Sequence, residues 1–115
     1  MKTILITGAN GFLGRSLRKL LSKYNFSIIA TGLGRDRIHN HSHTYEEMDV
    51  TCLKRCEHVL NQYNPDVIIN SAALTGVDKC EKESDLCFDV NAFSLLHYLP
   101  YVKKHNTHFI HISTD

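Results

Sequence analysis

The amino-acid sequence predicts an α/β protein built on a doubly wound parallel sheet. Short apolar runs alternate with helical patterns from one end of the chain to the other. The run Val67-Ile68-Ile69 is apolar throughout, which is typical of a strand covered by helices on both faces. Right-handed crossovers between such strands favour the strand order 3-2-1-4-5. Ligands of these sheets bind at the carboxyl ends of the strands, so functional residues are expected just after strands.

The first half of the chain contains two predicted strands and one helix. Residues 3–7 form a β-branched run, which predicts the first strand. Residues 27–31 predict a second buried strand that Gly32 closes, followed by a polar loop over residues 34–43. Between these strands, apolar residues at helical spacing predict one buried helix face, formed by Leu13, Leu17, Leu20, Leu21 and Tyr24.

The second half predicts three more strands and two helices. Residues 45–48 indicate a short third strand, residues 67–69 a fourth and residues 109–112 a fifth. A helix over residues 84–104 is expected to kink or end at Pro100, because proline lacks the backbone N–H. The second helix should end at Asn64-Pro65. Its predicted buried face consists of Leu53, Cys56, Val59, Leu60 and Tyr63.

Composition limits the class of protein and its partners. A chain of 115 residues has room for one domain with one core. The formal charge of +1 provides no basic field for a nucleic acid, and no run approaches the about 18 apolar residues of a spanning helix. We therefore expect a cytoplasmic protein that binds neither nucleic acid nor membrane. Its four cysteines, at positions 52, 56, 80 and 87, are expected to be reduced thiols, because their spacing matches no zinc motif.

A glycine-rich turn lies between the first strand and the first helix. The segment Thr7-Gly8-Ala9-Asn10-Gly11-Phe12-Leu13-Gly14 has the spacing G-x-x-G-x-x-G. In a dinucleotide-binding turn, the first glycine permits the sharp turn, the second lets a pyrophosphate approach the backbone and the third lets the helix pack closely. The alternative is a purely structural turn. The residues expected to contact a cofactor here are Gly8, Asn10, Gly11, Phe12, Leu13 and Gly14.

This glycine spacing resembles that of the extended short-chain dehydrogenase/reductase family, in its sugar-nucleotide branch. A second motif extends from Asn64 to Glu81 and contains Ala72-Ala73-Leu74-Thr75-Gly76-Val77-Asp78-Lys79-Cys80. Together with Val90-Asn91-Ala92 and Ser113-Thr114-Asp115, it is similar to the dTDP-4-dehydrorhamnose reductase family. The resemblance covers essentially the whole chain. It implies that residues 1–115 are the N-terminal portion of an NAD(P)-binding Rossmann domain, without the substrate lobe.

The resemblance also assigns roles to residues beyond the glycine turn. Ala72, Ala73 and Thr75 would line the nicotinamide side of the cofactor, and Asn91 would support the active site around it. Thr114 would be catalytic, with a hydroxyl that hydrogen-bonds the keto oxygen of the substrate, and Asp115 would bind the sugar. For Asn91, the alternative is a solvent-facing polar residue.

The carboxylate of Asp49 matches the one that family members place near the adenine, with Val50 beside it. Its alternative role is that of an acid or cap at a helix N-terminus.

The cofactor itself is expected to be NADP, with NAD as the alternative. NAD enzymes usually carry an acidic residue at the end of the second strand, whereas this chain has Thr31-Gly32-Leu33-Gly34-Arg35 there, and Asp36 lies too far along. Arg35 could meet a 2′-phosphate, or it could be a solvated loop cation like Arg37. No metal is expected at His39, His41 and His43, and His111 is expected to be a packed strand residue.

Reductases of this family use a Tyr-x-x-x-Lys pair as the general acid, and none of the five tyrosines has a lysine four residues later. We therefore expect the chain to be a fragment of a longer reductase, truncated after strand five, that binds NADP weakly and is inactive alone. Its open edge at strand five would favour self-association, with a homodimer as one outcome.

Two functions remain open. The first is an NADPH-dependent reductase of a nucleotide-linked 4-keto sugar, which would take a nucleotide sugar as substrate. The alternative is a non-catalytic NADP-binding subunit that resembles the regulatory β-subunit of methionine adenosyltransferase. A Tyr-x-x-x-Lys pair after Asp115 would favour the reductase.

Overall fold

A computed structural model describes residues 1–38, 43–71 and 94–112 of the chain. Within them, strands and helices alternate. The strands are β1 (Lys2–Thr7), β2 (Phe26–Gly32), β3 (Thr44–Glu47), β4 (Val67–Asn70) and β5 (His108–His111). The helices are α1 (Phe12–Leu21), α2 (Leu53–Tyr63) and α3 (Ser94–His105).

All five strands are parallel and lie in the order β3-β2-β1-β4-β5, which confirms the predicted topology. The strand register aligns Thr7 of β1 with Asn70 of β4, and Asn70 with His111 of β5. Three strands therefore end at the same level, and their last residues form one carboxyl edge.

Each face of the sheet has its own core. Ile4 and Ile6 point toward α1 and pack with Ile28, Ala30 and Ile69. The alternate residues of the strands point to the other face, where they pack with residues of α2 and α3. That second core contains Leu5, Ile29, Ile68, Val59, Leu60 and Tyr98. Burial on both faces explains why the strands are apolar without alternation.

Helix α1 buries only part of the face that its leucines predict. Leu17 and Leu21 are partly buried against the core, as predicted. Leu13 and Leu20 are 40% and 50% exposed, and Tyr24 lies beyond the end of the helix, so the prediction was wrong for these three. It was wrong there because the buried residues of α1 are Gly14 and Arg18, which carry no hydrophobic signal.

Helix α2 matches its prediction, since Cys56, Val59 and Leu60 are buried and the helix ends at Asn64. Asn64 has a φ of 47°, the left-handed conformation that commonly ends helices. Helix α3, by contrast, continues through Pro100 to His105, so of the two expected outcomes at Pro100, a kink or an end, the end does not occur. Pro100 lies on the exposed side of α3, where water can satisfy the carbonyl that loses its N–H partner. Residues 84–93 of the predicted helix lie outside the described residues.

Over the described ranges, no helix is long and apolar enough to cross a membrane.

The buried thiol of Cys56 lies in the core between α2 and α3. Burial raises the pKa of this thiol to about 11, and neighbouring negative groups add to the shift. Tyr98 is fully buried beside it, and its pKa is raised well above the ordinary value, first by burial and then by Cys56. Cys52, one turn earlier in the chain, is exposed. The two cysteines therefore occupy opposite environments within one helical turn.

Replacing Leu60 by alanine should destabilise the chain far more than the same change at Leu20. Leu60 is fully buried between α2 and the sheet, so Leu60→Ala leaves a cavity and should lower the free energy of unfolding by about 2–5 kcal/mol. Leu20 is half exposed, and Leu20→Ala should cost about 1 kcal/mol or less. Urea unfolding of the two variants checks this difference. Equal losses would show that the leucine pattern identified the buried face of α1 correctly.

The two thiols should differ in reactivity. With a pKa of about 11, Cys56 is ionised in about one molecule per thousand at pH 8, and it is also buried, so iodoacetamide should label Cys52 and spare Cys56. Peptide mass spectrometry after labelling measures each site separately. Labelling in urea is the control, because both thiols should then react; comparable rates in the folded chain would contradict the packing of α2.

Candidate cofactor-binding site

The glycine turn joins β1 to α1 through unusually close backbone contacts. Gly8 has a φ of 63°, which favours glycine, and its carbonyl accepts a hydrogen bond from the Gly11 N–H at 3.0 Å. A Cβ on Gly14 would lie 2.1 Å from the Gly8 carbonyl oxygen, which no side chain can tolerate. A Cβ on Gly11 would lie 3.3 Å from the same oxygen. Gly8 and Gly14 thus have the structural roles that the spacing predicts.

The N-terminus of α1 presents backbone donors at the carboxyl edge of the sheet. Its N-cap is Gly11, no side chain caps it within the described part of the chain, and its first turn holds no acidic residue. The first amides of a helix have no acceptor within the helix, and the helix dipole makes this end positive. Phe12 is 92% exposed beside these amides. The turn therefore fits the pyrophosphate of a dinucleotide, which needs donors and close backbone approach.

The side chain of Asn10 fastens the loop after β2 to the glycine turn. Its Nδ2 donates to the Arg35 carbonyl and to the Tyr45 hydroxyl, both at 3.1 Å, and its Oδ1 accepts from the Arg37 N–H at 2.9 Å. The Asn10 backbone carbonyl accepts from Arg15 Nε at 2.9 Å. Asn10 is predicted to contact the cofactor, and its side-chain amide also organises the neighbouring loop.

Tyr45 of β3 fills the space next to Gly32, the last residue of β2. Its hydroxyl donates to the Gly34 carbonyl at 2.9 Å, and a Cβ on Gly32 would lie 2.9 Å from that hydroxyl oxygen. Burial raises the pKa of Tyr45 above its ordinary value and the charge of Asp36 adds to this, so the hydroxyl remains a donor at neutral pH. The end of β2 therefore has no room for a side chain while Tyr45 is in place.

A buried ion pair lies beneath the same loop. Arg18 of α1 makes two parallel hydrogen bonds to the Asp36 carboxylate, at 2.9 and 3.0 Å, and its Nη1 also approaches the Ala9 carbonyl at 3.4 Å. The Arg18 side chain is 2% exposed and that of Asp36 is 18% exposed. Sequence reasoning missed this pair. The available signal was the position of Arg18, one turn after Gly14 on the side of α1 that faces the sheet.

Asp49 lies in the turn between β3 and α2, near the carboxyl edge. One of its carboxylate oxygens accepts hydrogen bonds from the Thr51 N–H at 2.9 Å and the Thr51 hydroxyl at 2.7 Å. Asp49 thus lies near the start of α2, close to its predicted alternative role of an acid or cap at a helix N-terminus, although the N-cap itself is Cys52. The carboxylate is exposed, which leaves it accessible to an adenine. The Val50 side chain belongs to the core, so only its backbone could contact a cofactor.

A second polar cluster joins the ends of β1, β4 and β5. The Thr7 hydroxyl donates to Asn70 Oδ1 at 2.6 Å, and Asn70 Nδ2 lies 3.1 Å from His111 Nδ1. In this arrangement, Asn70 Nδ2 donates and His111 Nδ1 accepts. His111 is thus a strand residue with a polar partner, as its position in the fifth strand predicts.

The structure gathers only some of the predicted site residues. The glycine turn, Asn10 and Arg35 meet at one place, and Asp49 lies at the same edge of the sheet beyond β2. Over the described ranges, no group of three or more histidine, cysteine or acidic residues could hold a metal ion. The remaining predicted residues lie outside the described residues: Ala72, Ala73, Thr75, Asn91, Thr114 and Asp115, together with His39 and His41.

A parallel sheet in the order 3-2-1-4-5 with a glycine turn opening its first helix defines a Rossmann-type fold of the class found in dehydrogenases and reductases. Within that class, a family model described as the RmlD substrate binding domain matches residues 1–115. The chain belongs to this family.

Individual relatives agree with this family. The chain is 34% identical over 116 residues to a dTDP-4-dehydrorhamnose reductase of Aggregatibacter actinomycetemcomitans, covering 100% of the chain and 35% of the relative. It is 27% identical over 90 residues to the methionine adenosyltransferase 2 subunit beta of Pongo abelii, covering 78% of the chain and 25% of that protein.

Among solved structures, a hypothetical dTDP-4-dehydrorhamnose reductase from Sulfolobus tokodaii superposes with a TM-score of 0.79 at 37% identity, covering 98% of the chain and 39% of the structure. The chain thus spans about a third of the length of the curated relatives that it matches.

Replacing Gly14 by alanine should disrupt the turn and with it any binding of a nucleotide. The added Cβ cannot fit at 2.1 Å from the Gly8 carbonyl, so we expect a loss of about 3 kcal/mol or more in the free energy of unfolding. Gly34→Ala is the matched control: it has a φ of 69° but open space around it, and should cost about 1–2 kcal/mol. Urea unfolding and calorimetric titration with NADPH measure both effects. Equal costs at the two positions would contradict the close packing of α1.

Proposed function

We propose that the chain is the cofactor-binding part of an NADPH-dependent reductase that acts on a nucleotide-linked 4-keto sugar, of the dTDP-4-dehydrorhamnose type. The observation that carries this proposal is the glycine turn, whose backbone geometry suits a dinucleotide pyrophosphate. Membership of the RmlD family and the similarity to dTDP-4-dehydrorhamnose reductases support the choice of substrate.

The residues that would hold the cofactor follow the carboxyl edge of the sheet. The amides at the start of α1 would bind the pyrophosphate, and Asp49 would meet the adenine amino group. Ala72, Ala73, Thr75 and Asn91 are proposed for the nicotinamide side on the basis of their motifs alone. A nicotinamide cofactor bound here supplies the hydride for reduction of a carbonyl group.

Two features favour NADPH over NADH. An acidic residue for a ribose 2′-hydroxyl has no room at Gly32, because Tyr45 occupies that space. Beyond it, Arg35 and Arg37 are exposed and their backbones are fixed to Asn10. Guanidinium groups bind phosphates through charge-assisted hydrogen bonds, so this segment suits a 2′-phosphate.

Reduction of a 4-keto sugar also needs a proton for the carbonyl oxygen. In this proposal, Thr114 hydrogen-bonds that oxygen and Asp115 helps to hold the sugar. No Tyr-x-x-x-Lys pair occurs in residues 1–115, so the proton donor belongs to further polypeptide, for which relatives about three times as long leave room. The 115-residue chain alone should then bind cofactor without turning over substrate.

A second function is favoured by the similarity to the methionine adenosyltransferase 2 subunit beta. In that case, the chain would belong to a non-catalytic NADP-binding subunit that acts through a protein partner. The two functions share the cofactor site and differ in the residues after Asp115. An assay of the full-length protein with a dTDP-4-keto sugar and NADPH separates them, because only the reductase consumes NADPH.

Calorimetric titration of the 115-residue chain tests the cofactor site directly. We expect NADPH to bind about tenfold or more tightly than NADH, because its 2′-phosphate gains charge-assisted hydrogen bonds from Arg35 and Arg37. Arg35→Met should weaken NADPH binding toward the NADH value and leave NADH binding unchanged. Lys19→Met removes an equivalent charge from an exposed position in the last turn of α1 and serves as the control. Binding of neither cofactor would refute the proposal, and equal affinities would refute the preference.

A further inference from the structure

We infer that Arg18 is a specificity-determining residue for the cofactor, which acts from beneath the site by neutralising Asp36. This inference deepens the proposed function and depends on it. Arg18 itself lies on the sheet-facing side of α1 and is buried, so it would not touch the cofactor. Its effect would pass through the carboxylate that it binds.

Asp36 lies between the two arginines that are proposed to meet a 2′-phosphate. Asn10 holds the backbones of Arg35 and Arg37, so the backbone on both sides of Asp36 is fixed. A carboxylate there repels a phosphate dianion and attracts the 2′-hydroxyl of NADH, since unit charges interact over several ångströms near a protein surface. Left uncompensated, Asp36 would oppose a preference for NADPH.

The geometry of the ion pair offsets this charge. Two parallel hydrogen bonds join Arg18 to both carboxylate oxygens, and the low exposure of the pair keeps salt from screening it. The charges of Arg18 and Asp36 also change the pKa of Tyr45, in opposite directions. Burial is the main cause of its raised pKa, Asp36 raises it further and Arg18 lowers it. The Asp36 charge therefore acts at the end of β2, and Arg18, whose effect on Tyr45 is the smaller of the two, offsets part of it there.

The test is the ratio of NADPH to NADH affinity, measured by calorimetry in two variants that break the same ion pair. Arg18→Met removes the positive partner of the Asp36 carboxylate, which keeps its hydrogen bond from the Ile38 N–H at 3.1 Å, and should lower the ratio by about tenfold, mainly by weakening NADPH binding. Asp36→Asn removes that charge and should raise the ratio or leave it unchanged. A pair that only fastens the loop would give losses of the same sign in both variants, and that result would overturn the inference.

Two further variants complete the experiment. Arg18→Lys keeps the positive charge and should retain most of the preference. Arg55→Met removes a second ion pair of the described residues, which joins α2 to Glu46 of β3 at 2.9 Å, and should leave the ratio unchanged. If Arg18→Met fails to fold, Asp36→Asn and Arg18→Lys still decide the matter: a lowered ratio in Asp36→Asn would overturn the inference.

The same titrations separate failure of the inference from failure of the proposed function. If the unmodified chain binds neither cofactor, the proposed function fails. If it binds NADPH preferentially and Arg18→Met leaves the ratio within about twofold, only the role of Arg18 is refuted.

Discussion

The contact between Gly14 and the carbonyl of Gly8 is the constraint on which the carboxyl edge of the sheet depends. Because no Cβ separates them, α1 begins directly against the turn that follows β1. One turn later, the same close approach brings Arg18 under the loop after β2, where it meets Asp36 and the Ala9 carbonyl. A helix held even 1 Å further from the sheet would move both its own N-terminus and this buried charge. The position of one glycine thus sets the geometry of two parts of the site.

The side chain of Asn10 joins the glycine turn to the neighbouring part of the sheet by hydrogen bonds. Its side chain binds the backbone of the loop on both sides of Asp36, and it shares the Tyr45 hydroxyl with the Gly34 carbonyl. These bonds connect the glycine turn, the loop after β2 and β3, which are distant in sequence. Asn10, which the glycine motif predicts as a cofactor contact, therefore also fastens the loop that frames the proposed 2′-phosphate position.

The sequence predicted those features that depend on local patterns. The glycine spacing, the uninterrupted apolar strands and the end of α2 at Asn64 all follow from backbone sterics or from burial on two faces. The buried face of α1 and the Arg18–Asp36 pair could not be predicted in this way. Arginine side chains are mostly exposed, so a buried Arg18 is not expected unless its partner Asp36 is known. The continuation of α3 through Pro100 could not be predicted either, because it depends on which side of the helix faces solvent. The hydrogen bonds among Thr7, Asn70 and His111 can be predicted only once the strand order and the strand register are known.

The packing of Tyr45 against Gly32 restricts how this site can change during evolution. An acidic side chain at position 32 would displace a tyrosine that is held by two hydrogen bonds, so the single substitution carries a penalty before it brings any benefit. The tyrosine would have to move its hydroxyl away or lose it, and either change removes part of the support for the loop. The cost of an acidic residue at position 32 therefore depends on what happens at position 45, which couples these two positions in any change of the site.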